Sequence, residues 1–194
     1  MRLIFFFALS VLVSLCSFLS EARADVVRGY LLNSEMRYER ASNQDMVNRS
    51  PMNYAISYQR SRFSVLLEHV YFTETSGNPT SAFERQHAEY LAWFRLHALA
   101  WTFGDNTHTV QLYGGLAAGA YQETVTTVFM GTSRVDTGRW TFMTGLSGGV
   151  EYSVKLTPAF LIVAAAEGRG FTGSDLDPNP MWSAVFRLGV GLIF

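Results

Sequence analysis

The last thirteen residues of the chain, Trp182–Phe194, alternate large apolar residues with small or polar ones. A repeat of two residues is typical of a β-strand, because successive side chains of a strand point to opposite faces of the sheet. One face of this strand carries Arg187, and the other is apolar throughout. This combination predicts a strand of a closed barrel in lipid, with lipid outside and a polar lumen inside. The apolar face consists of Trp182, Ala184, Phe186, Leu188, Val190, Leu192 and Phe194.

The beginning of the chain predicts a secretory signal peptide over residues 1–24. Met1 and Arg2 precede an apolar run, Leu3–Leu19, and Ala22-Arg23-Ala24 follows it as a cleavage site. An uncleaved membrane helix is the alternative, since the run is near the lower length limit for a span. The Ala-x-Ala site favours cleavage, so we expect residues 25–194 to form the folded domain.

The composition of residues 25–194 narrows the classes of protein further. Cys16 is the one cysteine of the chain, so the domain forms neither a disulfide nor a cysteine-ligated metal site. It contains 13 basic and 15 acidic residues, a balance that gives no indication of nucleic-acid binding. Its apolar runs are shorter than the roughly 20 residues of a membrane helix. If the domain crosses a membrane, it must therefore do so as a barrel.

The sequence predicts eight strands joined by connections of alternating length. Tight turns are expected around Ser61, at Gly104–Thr107 and at Leu156–Pro158, with longer polar loops at the opposite end. Short periplasmic turns and longer extracellular loops are typical of outer-membrane barrels. The turn at Ser61 is the least marked, because it lacks glycine and proline. The predicted strands are 25–38, 51–60, 62–74, 83–103, 108–124, 135–155, 159–169 and 181–194, and the predicted loops are 39–50, 75–82, 125–134 and 170–180.

Alternation along each strand assigns its apolar residues to lipid, with aromatic residues near the strand ends. A soluble β-sandwich also alternates, and so does a soluble lipocalin-like barrel with its faces reversed. The predicted outward residues on the first six strands are Tyr30, Leu32, Met36, Tyr38, Met52, Tyr54, Ile56, Tyr58, Phe63, Val65, Leu67, Tyr71, Phe94, Leu96, Ala98, Val110, Leu112, Leu116, Ala118, Trp140, Phe142, Leu146, Val150 and Tyr152.

The same alternation sends ionisable residues into the lumen. An eight-stranded barrel has room for side chains and little else, and each unpaired buried charge costs several kcal/mol. We therefore expect a plugged lumen held by ion pairs. The predicted inward residues are Glu35, Arg37, Glu68, Glu89, Arg95, His97, Glu151 and Arg187.

The four histidines are the first candidates for catalytic chemistry: His69, His87, His97 and His108. His87 and Glu89, with Ser81 nearby in the sequence, offer a base, an orienting carboxylate and a hydroxyl. The His-x-Ser of lipid A 3-O-deacylases and the G-x-S-x-G elbow are both missing. The last loop contains Asp175 and Asp177 without the spaced glycine and glutamate of a calcium loop. We therefore expect neither catalysis nor a cofactor nor a metal.

The chain resembles the small eight-stranded outer-membrane β-barrel family, of the OmpA transmembrane-domain, OmpX and opacity-protein type. The resemblance rests on the signal peptide, the Val110–Tyr121 strand, the Gly148–Pro158 stretch and the terminal Phe194. It implies an all-β, antiparallel, up-and-down barrel, monomeric in the outer membrane of a Gram-negative cell among lipid and lipopolysaccharide. Phe186, Leu192 and Phe194 then correspond to the signal read by the barrel-assembly machinery.

Members of this family that consist of the barrel alone are typically adhesins, surface-defence proteins or proteins without an assigned activity. The resemblance therefore implies a non-enzymatic protein whose surface loops meet an envelope or host partner. The alternatives are a lipid A acyl hydrolase or transferase and a soluble periplasmic binding barrel. The loop residues expected to meet a partner are Phe129, Met130, Arg134, Phe171 and Asp175.

Overall fold

The computed structural model describes residues 25–38, 46–49, 53–78, 81–174 and 180–194, without the side chains of 32–38, 46–49, 72, 74–78 and 81. Within these ranges no helix is long and apolar enough to span a membrane. The strands are β1 (Val26–Tyr38), β2 (Met46–Arg49), β3 (Tyr54–Arg60), β4 (Phe63–Asn78), β5 (Ser81–Phe103), β6 (His108–Phe129), β7 (Thr132–Thr137), β8 (Thr141–Thr157), β9 (Phe160–Gly173) and β10 (Met181–Ile193).

These strands close into an antiparallel barrel. Neighbours around the barrel are β1, β3, β4, β5, β6, β8, β9 and β10, and β10 pairs with β1 from Ile193 to Trp182. Strand β2 continues the path of β3 along the upper part of β1, and β7 continues that of β8 along β6. The barrel therefore has eight strand positions and no free edge where it closes, which confirms the predicted fold.

The predicted tight turns are confirmed at one end of the barrel. Ser61 adopts a φ of 56°, so that β3 and β4 are joined by Ser61 and Arg62 alone. Gly104 accepts a hydrogen bond of 3.0 Å from the amide of Thr107. Asp25 and Phe194 exchange two backbone hydrogen bonds, of 2.9 and 3.0 Å, at the same end. We call this the periplasmic end and the opposite one the extracellular end.

Two of the predicted long loops are wrong. Strands β4 and β5 pair as far as Asn78 and Ser81, and β6 and β7 as far as Phe129 and Thr132. Both pairs are therefore hairpins with two residues between their strands. Backbone pairing continues beyond the apolar band, where apolar and polar residues no longer alternate in the sequence and the pattern does not mark a strand.

A β-bulge in β1 reverses one predicted face. The register with β10 shifts between Tyr30 and Leu32, so Leu31 is the extra residue. Leu31 is 74% exposed on the outside, whereas Tyr30 is buried in the lumen. The outward assignment of Tyr30 is therefore wrong, since one inserted residue exchanges the two faces of a strand.

The predicted strand 135–155 is interrupted. Strand β7 ends at Thr137 and β8 begins at Thr141. Between them the amide of Gly138 donates a hydrogen bond of 2.8 Å to the carbonyl of Glu123 on β6. The interrupting segment therefore stays attached to β6 at the extracellular mouth, although it is not part of either strand.

The outer surface is apolar and has two aromatic levels. On the extracellular side, the ring of His69 lies 4.9 Å from that of Tyr54 and 4.8 Å from that of Tyr90, which lies 5.6 Å from Trp140. On the periplasmic side, aromatic residues such as Trp101 are exposed. This distribution is opposite to that of a soluble barrel and fits interfacial girdles. The predicted outward residues that are more than a third exposed and large are Tyr54, Ile56, Phe63, Phe94, Leu96, Leu112, Leu116, Trp140, Phe142, Leu146, Val150, Tyr152, Trp182, Phe186, Leu188, Leu192 and Phe194.

Candidate functional site

The centre of the lumen holds four fully buried ionised side chains from three strands, which we call the ion cluster: Glu68, Glu167, Arg169 and Arg187. Arg169 lies 2.6 Å from Glu68 and 3.1 Å from Glu167. Arg187 lies 3.1 Å from Glu68 and 2.7 Å from Glu167. Each arginine thus bridges both glutamates, which is the geometry that a planar guanidinium favours.

Further side chains complete the coordination of the two carboxylates. Arg95 also pairs with Glu167, and the hydroxyl of Tyr113 donates a hydrogen bond of 2.9 Å to it. The indole of Trp93 donates a bond of 3.2 Å to Glu68, and its ring lies 4.6 Å from the guanidinium of Arg169. Burial of these charges is therefore offset by several hydrogen bonds each, as a low-dielectric site requires.

A second group of polar residues lies nearer the periplasmic end. Arg28 lies 3.1 Å from Glu151, and Tyr30 donates a hydrogen bond of 3.0 Å to the same carboxylate. His97 contacts the hydroxyl of Ser64 at 2.8 Å. The described lumen contains four buried arginines and four buried glutamates in all, so its charge is balanced. These are Arg28, Arg95, Arg169, Arg187, Glu68, Glu89, Glu151 and Glu167.

On the extracellular side of the ion cluster, the lumen is apolar. The rings of Trp93 and Phe171 meet edge to face at 5.6 Å. The side chains around them have almost no exposed surface. We call this group the apolar layer: Val70, Leu91, Trp93, Met143, Phe171, Met181 and Val185. Phe171 was expected in a surface loop, and that prediction is wrong because β9 extends to Gly173 and turns Phe171 inward.

His87 and Glu89 lie above the apolar layer, near the extracellular mouth. The imidazole of His87 is 2.6 Å from the carboxylate of Glu89 and stacks on the ring of Tyr121 at 5.4 Å. Ser81 is six residues from His87 on the same strand, which is about 20 Å of extended chain at about 3.3 Å per residue. The strand therefore separates Ser81 from the other two candidate catalytic residues.

The remaining sequence-based candidates divide as follows. Glu68, Glu89, Arg95, His97, Glu151 and Arg187 are buried in the lumen. The backbone of Glu35 lies opposite Val185 and that of Arg37 opposite Ser183, but their side chains lie outside the described part of the chain. Residues 175–179 also lie outside the described part of the chain. No group of three or more potential metal ligands occurs among the described residues.

Three members of the charged lumen were missed: Arg28, Glu167 and Arg169. Arg28 and Tyr30 are two residues apart and share one face of β1. Regular alternation without the bulge at Leu31 places this face outward, so Arg28 was not recognised as a lumen residue. Glu167 and Arg169 alternate with Ala166 and Gly168, and this small outward pair gives β9 little apolar contrast. Glu167 and Arg169 are oppositely charged and two residues apart, so they share one face of the strand. This spacing is the sequence signal that could have identified them.

A cleft of about 440 Å³ opens at the extracellular mouth, beside the interruption between β7 and β8. Glu123 lies 3.1 Å from Arg85, and Asp136 lies 3.0 Å from Arg134. Sequence reasoning gave no sign of this cleft. It is lined by Tyr121, Glu123, Val125, Asp136, Gly138, Arg139 and Thr141.

The comparisons with known proteins concern the fold. No protein-family model matches the chain, and no curated protein sequence matches it. The chain is similar in structure to Ail, the attachment invasion locus protein of Yersinia pestis, with a TM-score of 0.50 and 18% identity over 88% of this chain and 97% of that one. The same values hold for Ail in complex with the heparin analogue sucrose octasulfate.

Neisserial surface protein A aligns over the same shares of the two chains, with 13% identity and a TM-score of 0.48. The closed barrel described above and the likeness to Ail identify the fold. The chain therefore has the fold of the small eight-stranded outer-membrane β-barrel proteins.

Proposed function

We propose that the protein is an integral, monomeric outer-membrane barrel that is sealed to ions and acts by recognition at its extracellular end. The observation that carries this proposal is the polarity of the barrel, which buries charge inside and exposes apolar side chains outside. Exposed residues such as Phe142 and Leu146, both above 60% exposure, are stable in lipid and unfavourable in water.

The proposed targeting follows from the two ends of the barrel. Removal of residues 1–24 leaves Asp25 first, and Asp25 is the residue at which backbone pairing with Phe194 begins. Phe186, Leu192 and Phe194 lie exposed on the outer face of β10, the strand that closes the barrel. We propose that the assembly machinery reads these three side chains and that the outer face then contacts lipid and lipopolysaccharide.

The sealed lumen is proposed from two consecutive obstructions. The ion cluster fills the centre of the barrel, and the apolar layer lies directly above it. An ion would have to displace both tightly paired charges and packed aromatic rings. We therefore expect no unitary currents when the purified protein is inserted into planar bilayers, and regular currents would contradict this part of the proposal.

Recognition is proposed because the strands continue beyond the membrane. From Tyr90, in the upper aromatic level, β5 runs nine residues to Ser81, or roughly 30 Å of strand. The hairpin of β6 and β7 exposes Phe129, Met130 and Val135. Ail, which shares the fold, carries attachment and invasion in its name and binds a heparin analogue. Catalysis is not proposed, since Ser81 is far from His87.

Shortening the β6–β7 hairpin tests this function. Replacement of residues 126–135 by Asn-Gly keeps the pair Val125 and Asp136 and supplies a favoured hairpin turn. We expect cells that display this variant to lose adhesion to epithelial cells, whereas the same Asn-Gly replacement at Asp105-Asn106, in a periplasmic turn, leaves it unchanged. Equal adhesion by both variants, or none by the natural protein, would contradict the proposal.

A further inference from the structure

The extracellular cleft has a fixed floor. The ring of Tyr121 is buried, stacks on His87 within 11° of parallel, and is thereby held above the contact between His87 and Glu89. Its walls come from β6 and from the segment between β7 and β8, which Gly138 fixes to Glu123 through the backbone. The volume of the cleft, about 440 Å³, falls in the size range of small-ligand sites.

The charges of the cleft leave one cation uncompensated. The carboxylate of Glu123 is paired with Arg85, and that of Asp136 with Arg134. Arg139 is exposed on the rim, and within the described ranges no acidic side chain pairs with it. The guanidinium of Arg139 is therefore available to pair with an anionic group of a ligand. The oxygens of Glu123 and Asp136 remain able to accept hydrogen bonds from a hydroxyl.

The position of the cleft indicates where such a ligand comes from. Arg139 precedes Trp140, which belongs to the upper aromatic level through its contact with Tyr90 at 5.6 Å. The cleft therefore opens just above the proposed membrane surface. The molecules found just above the membrane surface are sugars, which belong either to the lipopolysaccharide of the same cell or to the glycans of an adhering host cell.

We propose that the cleft binds a saccharide that carries one carboxylate. The carboxylate pairs with Arg139, and hydroxyl groups donate to Glu123 and Asp136 on the two walls of the cleft. The proposal rests on the outer-membrane orientation given above and names the ligand class of that recognition surface. Two sources supply this chemistry: the ketodeoxyoctonic acid of the lipopolysaccharide inner core and the sialic acid of host glycans.

Titration of the full barrel, refolded into nanodiscs without lipopolysaccharide, tests the proposal. The probes are the methyl glycosides of ketodeoxyoctonic acid and of N-acetylneuraminic acid, each beside its neutral methyl ester. We expect saturable changes in the amide resonances of Gly138, Arg139 and Thr141 with at least one acid and not with its ester. The glycoside that binds with the higher affinity identifies the source of the saccharide as bacterial or host.

Three variants assign the binding to Arg139. Arg139→Gln should weaken it about tenfold, because a charge-assisted hydrogen bond is lost, while Arg139→Lys keeps the charge and most of the affinity. Arg62→Gln removes the same charge at the periplasmic end and should change nothing. Failure of both acids to bind, equal binding of an acid and its ester, or no effect of Arg139→Gln would overturn the proposal. If adhesion still depends on the β6–β7 hairpin, that result leaves the proposed function standing.

Discussion

Arg187 lies 2.7 Å from Glu167, at a point in the lumen where neither side chain has any exposed surface. The two residues belong to the neighbouring strands β10 and β9, and Arg187 also reaches Glu68 on β4. The contact therefore connects strands on different sides of the lumen. Because all partners are buried, its removal should have consequences that an exposed ion pair does not have.

Glu167→Gln should destabilise the barrel by about 3–5 kcal/mol. It leaves the charge of Arg95 buried without a carboxylate partner and removes one of the two carboxylates that pair with Arg169 and Arg187. The measurement is equilibrium unfolding by urea in lipid vesicles. Glu123→Gln is the matched control, since Glu123 and Arg85 are each about a third exposed, and exposed pairs contribute about 0–1 kcal/mol. Equal effects of the two variants would show that the ion cluster does not stabilise the barrel.

Trp93→Ala should cost about 3–5 kcal/mol, the usual range for truncation of a buried aromatic residue. Trp93 lies in the apolar layer, packs against Phe171, and donates to Glu68. Trp101→Ala, at a residue 50% exposed on the outer face, should cost clearly less in the same unfolding experiment. A larger loss at Trp101 would place the main packing of the protein outside the lumen.

Spin labels at positions 30 and 31 test the bulge in β1. The folded domain contains no cysteine, so single-cysteine variants are easily made. Oxygen dissolved in the bilayer should relax a label at Leu31 as strongly as one at the exposed Leu188. A label at Tyr30 should behave like one at the buried Ser57. The reverse pattern would restore the simple alternation and remove the bulge.

A comparison of Leu146→Arg with Val135→Arg tests which part of the outer surface faces lipid and which part faces water. The two residues are similarly exposed, at 64% and 60%, but Leu146 lies between the aromatic levels and Val135 on the projecting β7. An arginine near the middle of the bilayer costs about 2–4 kcal/mol, whereas an exposed position in water tolerates it. Unfolding in vesicles should therefore distinguish the two variants, and equal stability would argue against burial of Leu146 in lipid.

The sequence predicted the barrel because its outer face is continuous. Apolar residues such as Phe186 and Leu188 alternate with Arg187 and the small residues without interruption, and a period of two residues indicates a β-strand. The Ser61 turn was also predictable, although it lacks glycine, because an even number of strands was required. Its φ of 56° shows that a serine adopts the left-handed region there.

The features that the sequence did not predict depend on backbone detail. One extra residue at Leu31 inverted the assignment of Tyr30 and led to Arg28 being missed, because nothing in the side-chain pattern marks a bulge. The β4–β5 and β6–β7 hairpins continue their backbone pairing past the segments in which apolar and polar residues alternate, so the sequence pattern did not mark them as strands. The cleft at Arg139 needs the interruption of β7 and β8, which only the three-dimensional arrangement reveals.

Heat-modifiability tests the central claim most directly, that the barrel is embedded in the outer membrane with its charges inside. Cells producing the protein are fractionated, and the outer-membrane fraction is run on a gel in mild detergent, unboiled and boiled. We predict that the protein is found in that fraction and that its mobility changes on boiling, because the closed barrel resists unfolding until heated. Recovery in the soluble periplasmic fraction with a single mobility would contradict the account.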